Sequence, residues 1–249
     1  RFYSYRRLLA APVMVDVDWL KGHLEGEGVV VVDMTTSDMQ YQRFHIPGAV
    51  YLAYGSLVTK RKDGVSVSVG YDRLVQILGS LGIDSSKHVV IYDDMGGLNA
   101  GRLFWELERI GHEQVSVLDG GLVRWVLDGH RVDNRLKKPV AVVYQSGESG
   151  RDNSADITEV EQVMGDAKTA LLDARSEQEY FGHPAKKRSG HIPGSKLWSW
   201  NQSVDFSDGF ELKKQSDLRA SLRAQGITSD SPVITFCRSG HRAAQNYLV

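Results

Sequence analysis

The chain contains itself twice, and this duplication constrains its fold more than any other feature. His45-Ile46-Pro47-Gly48 returns 146 residues later as His191-Ile192-Pro193-Gly194. Upstream of each turn lies an apolar run ending in aspartate, Val29-Val30-Val31-Val32-Asp33 in one case and Ala170-Leu171-Leu172-Asp173 in the other. Downstream, Leu78-Gly79-Ser80-Leu81-Gly82-Ile83 is matched by Leu222-Arg223-Ala224-Gln225-Gly226-Ile227. Then Val89-Val90-Ile91-Tyr92-Asp93 is matched by Val233-Ile234-Thr235-Phe236-Cys237. Four matches in one order, at nearly constant spacing, mean a duplicated domain.

Each copy reads as α/β. The short β-branched runs at 29–33 and 89–92, bounded by turn residues, suit strands buried on both faces of a parallel sheet. Between them, Leu74, Ile77, Leu78 and Leu81 fall at helical spacing over 71–81. A second helix is expected over 100–110, a strand over 115–118 and a short helix over 122–127. Strands alternating with helices predict a parallel sheet flanked by helices in each repeat. The division is a first domain at 1–135, a linker at 136–154 and a second domain at 155–249. Within the linker, Val140 to Tyr144 has the pattern of a strand crossing between domains. The second copy stops at Val249, 12 residues after Cys237, with no counterpart of 115–127. That domain is therefore expected to lack its C-terminal elements.

Composition narrows the function. A net charge of −1 supplies no global field to draw in nucleic acid or an anionic membrane, so attraction for an anionic substrate must be local. No apolar run approaches the ~20 residues needed to span a bilayer. The start, Arg1 to Pro12, has basic residues but too short an apolar stretch for a secretory signal, and it lacks an initiator Met. Cytoplasm is the expected compartment, with the periplasm as the alternative. A single cysteine excludes an intrachain disulfide framework and multi-cysteine metal sites. No metal or cofactor is expected.

That cysteine, Cys237, follows the apolar run 233–236 and precedes a helix expected to start at Ala243. Between them lies Arg238-Ser239-Gly240-His241-Arg242. A strand, a short loop and a helix start bring backbone N–H groups around the sulfur, and such a nest favours an anion. Arg238 and Arg242 add positive charge, as does His241 when protonated. All these terms favour thiolate over thiol. Gly240 permits the positive φ with which such a loop closes. The bland reading of a lone cysteine, a small buried hydrophobe, does not account for this setting.

On these residues the chain resembles the tandem-domain rhodanese family of thiosulfate and 3-mercaptopyruvate sulfurtransferases. The matching pieces in the second copy are Asp173-Ala174-Arg175 with Glu179-Tyr180 and Gly182, Gly190-His191-Ile192-Pro193-Gly194, and Cys237-Arg238-Ser239-Gly240. In the first copy they are His45-Ile46-Pro47-Gly48-Ala49, Tyr92-Asp93-Asp94, Ala100-Gly101-Arg102, and Leu118-Asp119-Gly120-Gly121-Leu122 with Trp125. The resemblance implies two tandem rhodanese-like domains, of which only the second carries the nucleophile. Asp93 stands where Cys237 stands in the other copy, and an aspartate there cannot attack sulfur and repels anionic donors. The resemblance further implies a double displacement. Cys237 takes sulfur from a small anionic donor as a persulfide, then yields it to cyanide or to a thiol, including a thioredoxin-like protein. The loop residues Arg238, Ser239, Gly240, His241 and Arg242, together with Arg175, are the expected substrate-binding set.

Several residues carry two readings. Arg175 holds the donor's anionic group, or forms a structural ion pair with Asp173 or Glu179. His45 and His191 are expected to serve their turns rather than catalysis. Lys186-Lys187-Arg188 reads as a solvated loop, Trp198 and Trp200 as core. Arg238 followed by Ser239 is a hybrid of the basic loop of thiosulfate enzymes and the Gly-Ser loop of mercaptopyruvate enzymes. Ala53 occupies a position after the first His-Ile-Pro-Gly where the family commonly has aspartate, which weakens the mercaptopyruvate relay. Thiosulfate is the expected donor, with 3-mercaptopyruvate the alternative. A cysteine phosphatase of related fold needs five residues between cysteine and arginine, and only four separate Cys237 from Arg242. A non-catalytic binding module, like the first repeat itself, is the remaining rival.

Overall fold

The computed structural model describes residues 11–26, 28–145, 150, 153–166, 168–186 and 188–249. The N-terminal segment through Ala10, Glu27, residues 146–149, 151 and 152 of the linker, Ala167 and Lys187 lie outside the described residues.

The chain forms two compact units. The first is built from Leu8–Asn153 together with Asp205–Leu212. Its elements are β1 (Met14–Val15), α1 (Val17–His23), β2 (Val29–Asp33), α2 (Asp38–Arg43), β3 (Val50–Tyr51), β4 (Val58–Lys60) and β5 (Ser66–Ser68). Then follow α3 (Tyr71–Ser80), β6 (His88–Tyr92), α4 (Ala100–Arg109), β7 (Val115–Leu118) and α5 (Gly121–Leu127). A five-stranded sheet runs β1-β7-β6-β2-β3, with every pairing parallel. The β-branched runs read from the sequence are its central strands. Val30, Val31, Val32, Val89, Val90 and Ile91 are buried because helices cover both faces of a parallel sheet. Trp125, Tyr92, Leu20 and Ile46 close one side of the core. Each such side chain is worth roughly 1.5–3 kcal/mol of transfer free energy when fully buried.

The second unit comprises Ser154–Val204 and Lys213–Val249. It holds α6 (Ile157–Val163), β8 (Ala170–Asp173), α7 (Glu177–Phe181), β9 (Lys196–Leu197), α8 (Gln215–Ala224), β12 (Val233–Phe236) and α9 (His241–Tyr247). The short β10 (Val204–Asp205) and β11 (Glu211–Leu212) make a separate two-stranded pairing. The parallel sheet here is β12-β8-β9. Its register repeats that of the first unit: Phe236 lies beside Asp173 as Tyr92 lies beside Asp33. Where β6 has β7 on its outer edge, β12 has no further strand among the described residues. No described helix is long and apolar enough to cross a membrane.

One expectation fails. Val140 to Tyr144 is not a strand. Val142 donates its N–H to the Gly79 carbonyl (3.0 Å), so the segment runs over the end of α3 instead of joining a sheet. The approach is close enough that a Cβ on Gly79 would lie 2.4 Å from the Val142 carbonyl oxygen. Alternating valines report which faces are apolar, not what the backbone pairs with.

Candidate active site

Cys237 is the first residue beyond β12, at the carboxyl end of its parallel sheet, where ligands of open α/β sheets gather. The Ala174 N–H binds the Phe236 carbonyl (2.9 Å), which extends the β8–β12 register to the threshold of the cysteine. The thiol is free and half-buried. Gly240 has φ +76°, the left-handed conformation expected of it, and serves as the N-cap of α9. This turn starts the helix at His241, two residues before the expected Ala243, with Ala244 N–H already bonded to the Gly240 carbonyl (3.1 Å). The loop is thus only residues 237–240. His241 and Arg242 belong to the first turn of α9, and Ser239 and His241 are half-buried there.

The three arginines of the expected site differ in their partners. Arg238 is exposed and pairs with no carboxylate among the described residues. Arg242 donates from Nη1 and Nη2 to the two carboxylate oxygens of Glu179 (2.5 and 2.9 Å). Its pKa is raised, first by that bond to Glu179 and further by charge attraction and a hydrogen bond to Cys237. Arg242, five residues after the cysteine, thus has two of its nitrogens held by Glu179. Glu179 is pulled down to about 2, chiefly by Arg242. Arg175 donates to both oxygens of buried Asp173 (Nε–Oδ1 2.9 Å, Nη2–Oδ2 2.6 Å) and to the Gly190 carbonyl (2.8 Å). Of its two readings, the ion pair with Asp173 is present, and it offsets the charge available to a donor.

Sequence reasoning did not see the Glu179–Arg242 pair, although it quoted both residues. A signal existed. Ser176 and Glu179 have capping-box spacing at the start of a helix, and the box forms at the start of α7, fixing where the carboxylate points. Ser176 N–H and Oγ donate to the oxygen of Glu179 that also receives Arg242 Nη1.

The histidine turns are built alike in the two repeats. His45 Nδ1 donates to the Tyr41 carbonyl (2.6 Å) and His191 Nδ1 to the Tyr180 carbonyl (2.9 Å), each ring stacked on that tyrosine. Tyr41 Oη and Tyr180 Oη in turn donate to the carbonyls of Ala49 and Ser195. Both histidines hold their turns. Trp198 is core, as expected, with its Nε1 donating to Ser221 Oγ.

In the first repeat, Asp93 occupies the place of Cys237. Its Oδ1 accepts the N–H groups of Met95 and Gly97 (both 2.9 Å), and its Oδ2 those of Asn99 and Ala100 (2.7 and 2.9 Å). Burial raises its pKa, while the four backbone bonds oppose that rise.

Comparison with known proteins matches both repeats to one family. The family model "Rhodanese-like domain" matches residues 16–128 and again 156–249. The chain belongs to the rhodanese-like domain family. It is 29% identical over 244 residues to a thiosulfate sulfurtransferase of Azotobacter vinelandii, covering 96% of this chain and 87% of that protein. With a thiosulfate sulfurtransferase of Pseudomonas aeruginosa the identity is 30% over 244 residues, at the same coverage. Among solved structures, SseA from Escherichia coli, a 3-mercaptopyruvate sulfotransferase of rhodanese fold, superposes with a TM-score of 0.81 at 26% identity. That match covers 95% of this chain and 92% of SseA.

Proposed function

We infer that this rhodanese-family chain is a sulfurtransferase that carries sulfur as a Cys237 persulfide, with thiosulfate as its preferred donor. The observation that carries the reading is Cys237 at the carboxyl end of the sheet, at the start of the loop that leads into a helix whose first turn holds Arg242, clamped by Glu179. A cation held at this end of the sheet stabilises the negative charge that the reaction forms there, on the persulfide and on the departing anion. In the first half-reaction the Cys237 thiolate attacks the outer sulfur of thiosulfate. The S–S bond of the donor breaks and sulfite leaves with its electron pair. In the second, cyanide or an acceptor thiolate attacks the terminal persulfide sulfur, and Cys237 departs as thiolate. Two half-reactions replace one difficult transfer, and each leaves an anion beside the same cation.

Support for thiosulfate comes from the exposed, carboxylate-free Arg238 and from the names of the relatives above. Arg242 contributes less to reading donor charge than its sequence position suggested, because Glu179 already offsets it. The second reading, 3-mercaptopyruvate as donor with pyruvate leaving, is favoured by the structural match to SseA. Intact-protein mass spectrometry after incubation with each donor tests both. Gain of one sulfur on Cys237 is expected, faster with thiosulfate. No gain with either donor would defeat the sulfurtransferase reading, and a faster gain with mercaptopyruvate would reverse the donor assignment.

A further inference from the structure

The loop of the first repeat does more than lack a cysteine. Between β6 and α4 it is seven residues long, 93–99, against the four residues 237–240 of the other repeat. Gly96 and Gly97 both have positive φ (72° and 96°), and successive residues of this kind turn backbone N–H groups toward one point. Four N–H groups do converge, and both oxygens of Asp93 receive two of them at 2.7–2.9 Å. The ten-residue α4 starts at Ala100, one of the four donors, so its dipole also points at the carboxylate. Asp93 is 1% exposed. The backbone of Asp93 is pinned as well: its carbonyl accepts the Leu122 N–H (2.9 Å), and Gly121 packs so close that a Cβ there would lie 2.2 Å from that oxygen.

We propose that residues 93–100 form a complete oxyanion-binding cradle whose ligand is built into the chain as the Asp93 carboxylate, and that the vacated cradle binds a free small carboxylate such as formate. The ligand class follows from the donors. Four N–H groups arranged two to each oxygen fit a planar, two-oxygen monoanion. Among the described residues the hydrogen-bond donors to the carboxylate are all backbone amides, and the carboxylate itself is buried. The first repeat is thus shut to a sulfur donor because its anion site is already filled from within. This inference is independent of the sulfur-transfer reading and can fail or hold without it.

Thermal melting of the full chain tests it, comparing the parent with Asp93→Ala and Asp93→Asn in formate, chloride and sulfate at matched ionic strength. Asp93→Ala is expected to melt lower by about 5 °C or more, and formate to restore part of that loss saturably, with chloride and sulfate restoring little. Asp93→Asn fills the space but turns an NH2 toward N–H donors, so it should also melt lower and gain nothing from formate. Equal formate shifts in the parent and Asp93→Ala would overturn the cradle, as would an Asp93→Asn variant as stable as the parent. Sulfate restoring as much as formate would overturn the ligand class. If Asp93→Ala does not fold, amide exchange in the parent decides the matter. The Met95 and Gly97 amides should be strongly protected, and exchange at unprotected loop rates would refute their bonding to Asp93.

Discussion

Arg242 and Glu179, 63 residues apart in sequence, meet through two hydrogen bonds of 2.5 and 2.9 Å that hold the guanidinium in the first turn of the helix after Cys237. The carboxylate acts on the reaction through the arginine and touches no reacting atom. Glu179→Gln removes the charge pairing but keeps an amide of the same shape. It should lower kcat/KM for sulfur transfer about ten-fold, as expected for weakening one charged hydrogen bond. The loss should appear in kcat more than in KM, because a loosened Arg242 fails the developing anion more than the bound donor.

Glu179 also has an acid signature. Its folded pKa, about 2, lies below the ordinary 4.5. The pairing therefore contributes stability that is present above about 4.5 and lost as pH falls toward 2. With the side chain 37% exposed, solvent screening keeps that contribution small. Denaturant midpoints of the parent and Glu179→Gln should differ at neutral pH and converge below pH 4.5. A gap that persists unchanged into acid would show that the pair is not what titrates.

Cys237→Ser should abolish sulfur transfer with the fold preserved. The residue is half-buried on a loop and closes no packed core, and a hydroxyl cannot form the persulfide. Circular dichroism and melting should match the parent while thiosulfate-dependent thiocyanate formation vanishes. Turnover near the parent rate would remove Cys237 from the mechanism.

Much of this was legible in the sequence, for definite reasons. The duplicated turns and β-branched runs gave the two sheets, since local pattern and burial agree along 29–33 and 88–92. Gly240 announced the left-handed turn that only glycine adopts freely. The partners of charged groups were less legible. Arg175 stood equally for a donor ligand and an ion pair, and only the fold shows Asp173 and the Gly190 carbonyl filling its hydrogen bonds. Arg242 read as a free loop cation because Glu179 arrives from another helix. Asp93 read as a missing nucleophile because nothing in its neighbours' identities reveals four amides converging on it. Segment 205–212 belongs to the compact unit of the first repeat, where Asp119 accepts the Leu212 N–H (2.7 Å). That is a contact of 93 residues' separation with no local signature.

The two strand-end aspartates have different partners. Asp173 faces Arg175, but among the described residues the donors to Asp33 are neutral: Thr35 through N–H and Oγ1, and Tyr92 Oη. Burial raises the Asp33 pKa against those bonds. The folded state therefore binds its proton more readily than the unfolded chain does, so this group's contribution favours folding at low pH. That contribution fades as pH rises from the ordinary value, about 4, through the raised one. Asp33→Asn removes the titration. The parent-minus-variant difference in unfolding free energy should fall with rising pH, and a flat difference would mean that Asp33 keeps an ordinary pKa.

The remaining prediction separates the two loop arginines by donor charge. Arg238 is exposed and meets no carboxylate among the described residues, whereas Arg242 is half-buried and paired with Glu179. If Arg238 reads the donor, Arg238→Ala should cost thiosulfate, a dianion, more than mercaptopyruvate, a monoanion. Loss of one charge-assisted contact, about 1.5–3 kcal/mol, sets the thiosulfate penalty at roughly ten- to a hundred-fold in kcat/KM. Arg242→Ala should penalise both donors by similar factors, because the thiolate attacks in either reaction. Raised salt should shrink the Arg238 effect first, since an exposed charge is screened over a Debye length of about 8–10 Å while a half-buried pair is not. Measuring kcat/KM for both donors in both variants at two ionic strengths decides the assignment. Equal losses for both donors in Arg238→Ala would mean that this arginine tunes the nucleophile and does not sense donor charge, and the preference for thiosulfate would then have to come from elsewhere in the site.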